Sequence, residues 1–216
     1  VSIRLLREIG IERVREYVTK FGFSKDFLPA DLSLALGTAS LSPLKNAVAY
    51  SILANGGNKI DPYFITKVLD RNGNVIFKKE DSALTNLVDP RISFILKDIL
   101  QEAAYRGTGK KIRALNRRDF SGKTGTTNDA ESTWFTGFNE HLVSTVWVGF
   151  DFPKSLGKRE FGSTTALPIW LDYMQSNITN IPFNSNLPPN GIVSIKIDKD
   201  SGDRASKNSK KTFFEY

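Results

Sequence analysis

The chain has 216 residues, 40% of them hydrophobic and 15 of them Phe, enough for one packed domain or a domain with a tail. Its formal net charge of +7 favours acidic partners without choosing between nucleic acid, anionic lipid and a polyanionic polymer. With no cysteine and one histidine it excludes disulfides, thiolate metal sites and multi-histidine metal sites, and no run approaches the ~18 apolar residues of a membrane span.

No signal peptide opens the chain. Val1-Ser2-Ile3-Arg4-Leu5-Leu6-Arg7 reads as a helix entered without a cap, so the chain is expected to be a fragment. A second helix spans about 11–21, with Val14 and Val18 four apart and Gly22 as the stop. Residues 24–41 read mostly as loop. Ser42-Pro43 opens a helix that stops at Asn55-Gly56-Gly57. Residues 63–69 and 75–77 form a hairpin around Asp70-Arg71-Asn72-Gly73-Asn74, and 78–88 read as polar and mobile. Asp89-Pro90 starts a long helix, with Ile92, Ile95, Leu96, Ile99, Leu100 and Ala103 as its expected core stripe and Gly107 as its end.

Residues 106–118 are basic and irregular. A strand at 119–127 precedes a hairpin of 134–138 and 142–150, giving three antiparallel neighbours. A basic loop covers 151–163, and Leu167, Trp170, Leu171 and Met174 mark a helix near Pro168. After Asn177 a Pro- and Gly-punctuated linker leads to a strand at Val193, Ile195 and Ile197. The stretch from Ser201 to Lys211 reads as a polar, basic and disordered tail. The division expected is 1–180 as one folded part and 181–216 as linker, β segment and tail.

The informative stretch is Phe120-Ser121-Gly122-Lys123-Thr124-Gly125-Thr126-Thr127. Strand alternation puts Thr124 and Thr126 on one side and Lys123 and Thr127 on the other. Gly125 admits close approach of another backbone. Such a strand at a sheet edge can pair with an extended peptide, while its hydroxyls and ammonium hold a carboxylate.

Gly122-Lys123-Thr124-Gly125-Thr126-Thr127-Asn128-Asp129, Trp134-Phe135-Thr136-Gly137-Phe138 and Val146-Trp147-Val148-Gly149-Phe150 stand in order. Ala166-Leu167-Pro168-Ile169-Trp170 and Pro189-Asn190-Gly191-Ile192-Val193 follow them, and Leu36-Gly37-Thr38-Ala39-Ser40-Leu41-Ser42-Pro43-Leu44 precedes them. This series resembles the transpeptidase domain of the bifunctional class A penicillin-binding proteins over most of the chain. The resemblance implies an α+β, penicillin-binding/serine β-lactamase-like fold, an antiparallel sheet flanked by helices, with only its C-terminal part present. That family uses Ser-x-x-Lys, Ser-x-Asn and Lys-Thr-Gly. Only the third is found here, at Lys123-Thr124-Gly125, and the other two are expected upstream of Val1.

The implied chemistry is attack by a serine on the D-Ala-D-Ala carbonyl of a peptidoglycan stem peptide. The acyl-enzyme is then resolved by an amine, and β-lactams mimic the donor. In that scheme the Thr126 N–H joins an oxyanion hole. The Thr124 and Thr126 hydroxyls, with Gly125 and Thr127 beside them, bind the terminal carboxylate, and Lys123 adds positive potential and a proton path. The resemblance implies no cofactor, no nucleic-acid partner, an extracytoplasmic or periplasmic location, and membrane anchoring by an upstream segment.

Decoys and rivals are weaker. Ser42-Pro43-Leu44-Lys45 fits Ser-x-x-Lys but reads as a helix cap, because no Ser-x-Asn lies between it and Lys123. Ser155-Leu156-Gly157-Lys158 fits in a loop, and Ser206-Lys207-Asn208 fits Ser-x-Asn in a tail. A phosphate-binding loop fails because Arg117 stands where a glycine is needed. A calcium loop at Asp198-Lys199-Asp200 fails because Asp203 and Ser209 stand at the positions of its glycine and its last acidic residue. Lys110, Lys111, Arg113, Arg117 and Arg118 suggest a nucleic-acid surface, but without stacking aromatics they read as a solvated basic loop. His141 reads as exposed or structural, and Trp134, Trp147 and Trp170 as core or cleft rim. A folded but catalytically empty scaffold stays as the alternative from a different class.

Overall fold

The computed structural model describes residues 1–80, 83–207, 209 and 211–216. Helix α1 (Ser2–Ile9) starts at Val1 with no side-chain cap, and α2 (Ile11–Thr19) follows across Gly10 at φ 95. Two 3-10 turns, Lys25–Phe27 and Leu32–Leu36, fill part of the expected loop. Asp31 caps the second by accepting from the Ser33 N–H at 2.7 Å. Helix α3 (Pro43–Ala54) is capped by Ser42, whose Oγ accepts from the Lys45 N–H at 3.3 Å.

Strands β1 (Asn58–Lys59), β2 (Lys67–Leu69), β3 (Val75–Lys78) and β4 (Thr85–Asn86) come next. β2 and β3 pair across the expected turn, where the Asp70 carboxylate accepts from the Asn72 and Asn74 N–H groups at 2.8 Å each. The stretch 78–88, expected to be mobile, instead contains β4, which pairs antiparallel with β1. Its residues 81 and 82 lie outside the described residues.

Helix α4 (Pro90–Tyr105) begins at Asp89, whose side chain accepts from the Arg91 N–H. It turns a different face inward from the one expected. Ile92 is 52% and Ile99 55% exposed, whereas Ser93, Phe94, Lys97 and Ala104 are buried. The buried polar groups are satisfied: Ser93 Oγ donates to Leu53 O at 3.0 Å and Lys97 Nζ to Glu140 Oε1 at 2.8 Å. Burial of a polar group is tolerated when it is hydrogen-bonded, so hydropathy alone picked the wrong face.

The central sheet has strand order β5 (Ser121–Thr126), β6 (Ser132–Phe138), β7 (Val143–Gly149), antiparallel throughout. The register sets Lys123 against Thr136 and Thr145, and Gly125 against Trp134 and Trp147. Directly opposed residues share a face, so this set looks toward α3, from which Asn46 Nδ2 donates to Thr136 Oγ1 at 2.8 Å. The opposite face packs on α5 (Leu167–Asn177), where buried Trp170 meets Phe120 and Phe135 edge-on at 5.8 and 5.1 Å. Ile112, Leu115, Leu167 and Met174 complete that core. Gly137 has to be glycine, because a Cβ there would lie 2.4 Å from the Trp170 ring.

The basic segment 106–118 is not simply solvated. Ile112 and Leu115, on a 3-10 turn at Lys110–Leu115, are core residues. Arg117 is clamped: Nε donates to Asp119 Oδ1 at 2.9 Å, Nη2 to Asp119 Oδ2 and to Pro182 O at 2.8 Å, and Nη1 to Ile181 O at 2.6 Å. This guanidinium ties the chain after α5 to the start of β5. The strand expected around Val193, Ile195 and Ile197 forms, with a partner not marked in the sequence. Strand β8 (Ile195–Asp198) pairs with β9 (Thr212–Glu215), and the Tyr216 ring meets Phe94 at 5.2 Å. Residues 208 and 210 of the expected tail lie outside the described residues.

Candidate functional site

Strand β5 is held from three sides. At its start, Ser121 Oγ donates to Lys97 O on α4 at 2.8 Å. Along its length it pairs with β6. Behind its far half lies Gly162, at the head of the turn that leads into α5. A Cβ on Gly162 would sit 2.4 Å from Trp134 O, 2.6 Å from Gly125 O and 3.2 Å from Gly125 N. The backbone that approaches Gly125 closely is therefore this chain's own, at a residue the sequence left inside a basic loop.

The other edge of β5 is free of any strand among the described residues. Thr127 N–H donates inward to Ser132 O at 3.1 Å. Antiparallel strands alternate inward- and outward-facing main-chain groups, so those of Thr126 and Thr124 face the open edge. In keeping with this, Lys123 Nζ reaches over that edge to Thr124 O at 2.8 Å.

Thr124 and Thr126 do lie on one face and Lys123 on the other, as alternation requires. Thr126 Oγ1 accepts from the Gly162 N–H at 3.0 Å. A hydroxyl has one proton and two lone pairs, so the Thr126 proton stays available for an anion. Thr124 Oγ1 lies 2.6 Å from Thr108 Oγ1. Thr127 is beyond the strand, and its Oγ1 accepts from the Glu131 and Ser132 N–H groups at 2.9 and 3.0 Å, fixing the turn into β6.

A groove runs beside the strand. A hollow of about 200 Å³ is lined by Lys123, Thr124, Gly125, Trp134, Thr136 and Asn46, among others. It meets a larger one of about 630 Å³ that includes Thr126, Thr127, Trp134 and Trp147. Gly37, Ala39 and Leu41 form the facing wall of both. Trp134 and Trp147 rim the groove with ring centroids 6.1 Å apart, whereas Trp170 is core. A separate hollow of about 460 Å³ is lined by Arg106, Arg113, Arg117 and Arg118, but Arg117 is spent on Asp119.

The decoys fall away on geometry. Ser42 Oγ is engaged as a cap, and Lys45 Nζ lies 5.9 Å from the Phe27 ring centroid, a cation–π contact on a different side chain. Ser155 Oγ accepts from the Gly157 N–H in a loop. Asn208 of the Ser206-Lys207-Asn208 run lies outside the described residues. His141 is exposed in the β6–β7 turn. Thr108, Gly162, Asn46 and Thr136 were not singled out in advance as site residues. Thr108 had a readable signal, a threonine bracketed by Gly107 and Gly109; the others become neighbours only through the fold.

No helix among the described residues is long and apolar enough to cross a membrane. A model of the penicillin binding protein transpeptidase domain matches residues 1–174. Penicillin-binding protein 1A of Pseudomonas aeruginosa is 38% identical over 264 aligned residues, taking in 100% of this chain and 32% of that protein. The Neisseria gonorrhoeae protein of the same name is 41% identical over 198 residues, 90% of this chain and 25% of that one. The crystal structure of penicillin-binding protein 1A from Haemophilus influenzae superposes with a TM-score of 0.88 at 31% identity, covering 99% of this chain and 37% of that chain. The chain thus spans between 25% and 37% of these relatives. With the open-edged Lys-Thr-Gly strand and the match over 1–174 together, the chain belongs to the penicillin-binding protein transpeptidase domain family.

Proposed function

We propose that this chain supplies the anion-holding wall of a peptidoglycan DD-transpeptidase, a serine acyl-transfer enzyme that β-lactams acylate. The observation that carries the reading is the free edge of β5, with its outward main-chain groups, the Thr126 hydroxyl and the Lys123 ammonium beside a groove. An extended stem peptide would add to that edge by main-chain pairing. Its terminal carboxylate would take the Thr126 and Thr124 hydroxyls, with Lys123 adding charge-assisted attraction. The Thr126 N–H, directed to the open edge, would meet the oxyanion as the tetrahedral intermediate forms. Gly125 and Thr127 would line the subsite.

The nucleophilic serine, its lysine and the Ser-x-Asn serine belong, in this reading, to a portion of the protein preceding Val1. The enzyme would work on the periplasmic side, anchored by that same portion. Fluorescent penicillin tests the reading. Residues 1–216 alone are expected to take no label, and the longer protein that contains them is expected to be labelled on a serine outside them. Thr126→Pro removes an N–H that makes no ladder bond, so the strand survives, while acylation should fall ~10²–10³-fold. Unchanged acylation of a folded variant would refute the donor role, and label on Ser42 would overturn the assignment.

A further inference from the structure

We propose that Thr108 is a positioning residue of the anion site: its hydroxyl acts in series with that of Thr124 to present one polarised O–H to the bound carboxylate. This rests on the transpeptidase reading above.

The placement is built into the end of α4. The helix stops at Tyr105, and the chain folds back through Gly107, Thr108 and Gly109. A Cβ on Gly107 would lie 2.7 Å from Ala103 O, and one on Gly109 2.9 Å from Ala104 Cα. Both glycines are therefore needed for the turn to lie flat on the last helical turn, where the Gly109 N–H donates to Ala103 O at 3.3 Å. That contact carries Thr108 to the edge strand and sets its Oγ1 2.6 Å from Thr124 Oγ1, the length of a good O–H···O bond.

Proton counting gives the consequence. Two hydroxyls own two protons, and their mutual bond uses one. Whichever oxygen donates, one proton is left, on the hydroxyl that has just accepted. An O–H whose oxygen accepts a hydrogen bond is polarised and donates more strongly, by ~10–30%. Thr126 obtains the same help from the Gly162 N–H. Thr124 is paired instead with the Thr108 hydroxyl, which supplies the same help when Thr108 donates. The Thr108–Thr124 pair and Thr126 thus each keep one polarised proton to offer forward.

The test uses the full-length protein that contains this chain. Second-order acylation by a penicillin is measured for Thr108→Val, Thr108→Ser, Thr124→Val and the Thr108→Val/Thr124→Val double variant, with melting temperatures alongside. A hydrogen bond to a charged group is worth enough to predict a loss of about tenfold for Thr108→Val. Thr108→Ser should recover most of it, and the double variant should lose no more than Thr124→Val alone, because the two hydroxyls act as one donor. Additive losses, a serine that fails to rescue, or no loss would overturn the proposal. If Thr108→Val fails to fold, the Thr108→Ala variant in the same cycle decides. Wild-type protein that takes no penicillin would bring down the transpeptidase reading itself, a result distinct from any of these.

Discussion

Gly162→Ala is the sharpest test of how the site strand is held. The added methyl would stand 2.4 Å from Trp134 O and 2.6 Å from Gly125 O. The shortest favourable carbon–oxygen contacts are about 3.3 Å. The two carbonyls, or the turn at 162, must therefore retreat by about 0.7–0.9 Å. Neither neighbour is a flexible side-chain end; both belong to paired backbone of β5 and β6. Overpacking of this kind costs about 1–3 kcal/mol. The functional cost is of similar size, because a shift near 1 Å of a positioning group can lower a rate ~10²-fold. The Gly162 N–H that steadies Thr126 would move as well.

Gly125→Ala is the control. Its Cβ would lie nearest the Trp134 side chain, 3.2 Å from Cβ and 3.7 Å from Cγ and Cδ1, a contact relieved by a few tenths of an ångström. Chemical denaturation should therefore rank Gly162→Ala as the less stable of the two, although Gly125 is the residue within the Lys-Thr-Gly motif. Penicillin acylation of the longer protein carrying Gly162→Ala should fall by about two orders of magnitude. Equal stability for the two variants, or full acylation by Gly162→Ala, would refute the view that Gly162 sets the position of the strand from behind.

Arg117→Met should cost about 3–5 kcal/mol in chemical denaturation, because it leaves the Asp119 carboxylate buried without its cation; a loss under about 1 kcal/mol would show the clamp to be dispensable. Burial by itself would raise the Asp119 carboxyl, but Arg117, then Asn139 and the Asn184 N–H, hold it below its ordinary value of 3.8. A depressed acid stabilises the fold above its unfolded value and loses that contribution as pH falls through the folded one. Stability measured at stepped pH should therefore drop below pH 3.8, and Asp119→Asn should flatten that acid limb; an unaltered limb would contradict the assignment. Ser42→Ala should remove a helix cap worth about 1 kcal/mol and leave penicillin acylation intact. Lost acylation in a folded Ser42→Ala protein would transfer the nucleophile to Ser42.

Local chemistry made several elements readable. Ser42-Pro43 and Asp89-Pro90 announce helix starts because an oxygen side chain followed by proline satisfies a first turn wherever it sits in the fold. The Asp70 turn and the three antiparallel strands follow from turn residues and period-two alternation. Alternation also placed Thr124 and Thr126 opposite Lys123 without any coordinates, since the pleat fixes that geometry. What failed were the choices that depend on a distant partner. The face of α4 is set by Leu53 and Glu140, which satisfy Ser93 and Lys97. Arg117 became a clamp because Asp119 and the 178–184 segment converge on it. β9 formed because β8 offered an edge.

The amino-acid order alone therefore determined the kinship, the element starts and the chemical character of the Lys123–Thr126 strand, because each is encoded within a few consecutive residues. Only the tertiary structure decided which edge of that strand stays open, which glycine presses on it, and which hydroxyl stands behind Thr124. Those depend on contacts between segments 16 and 36 residues apart in the chain, and no local rule of spacing reaches that far.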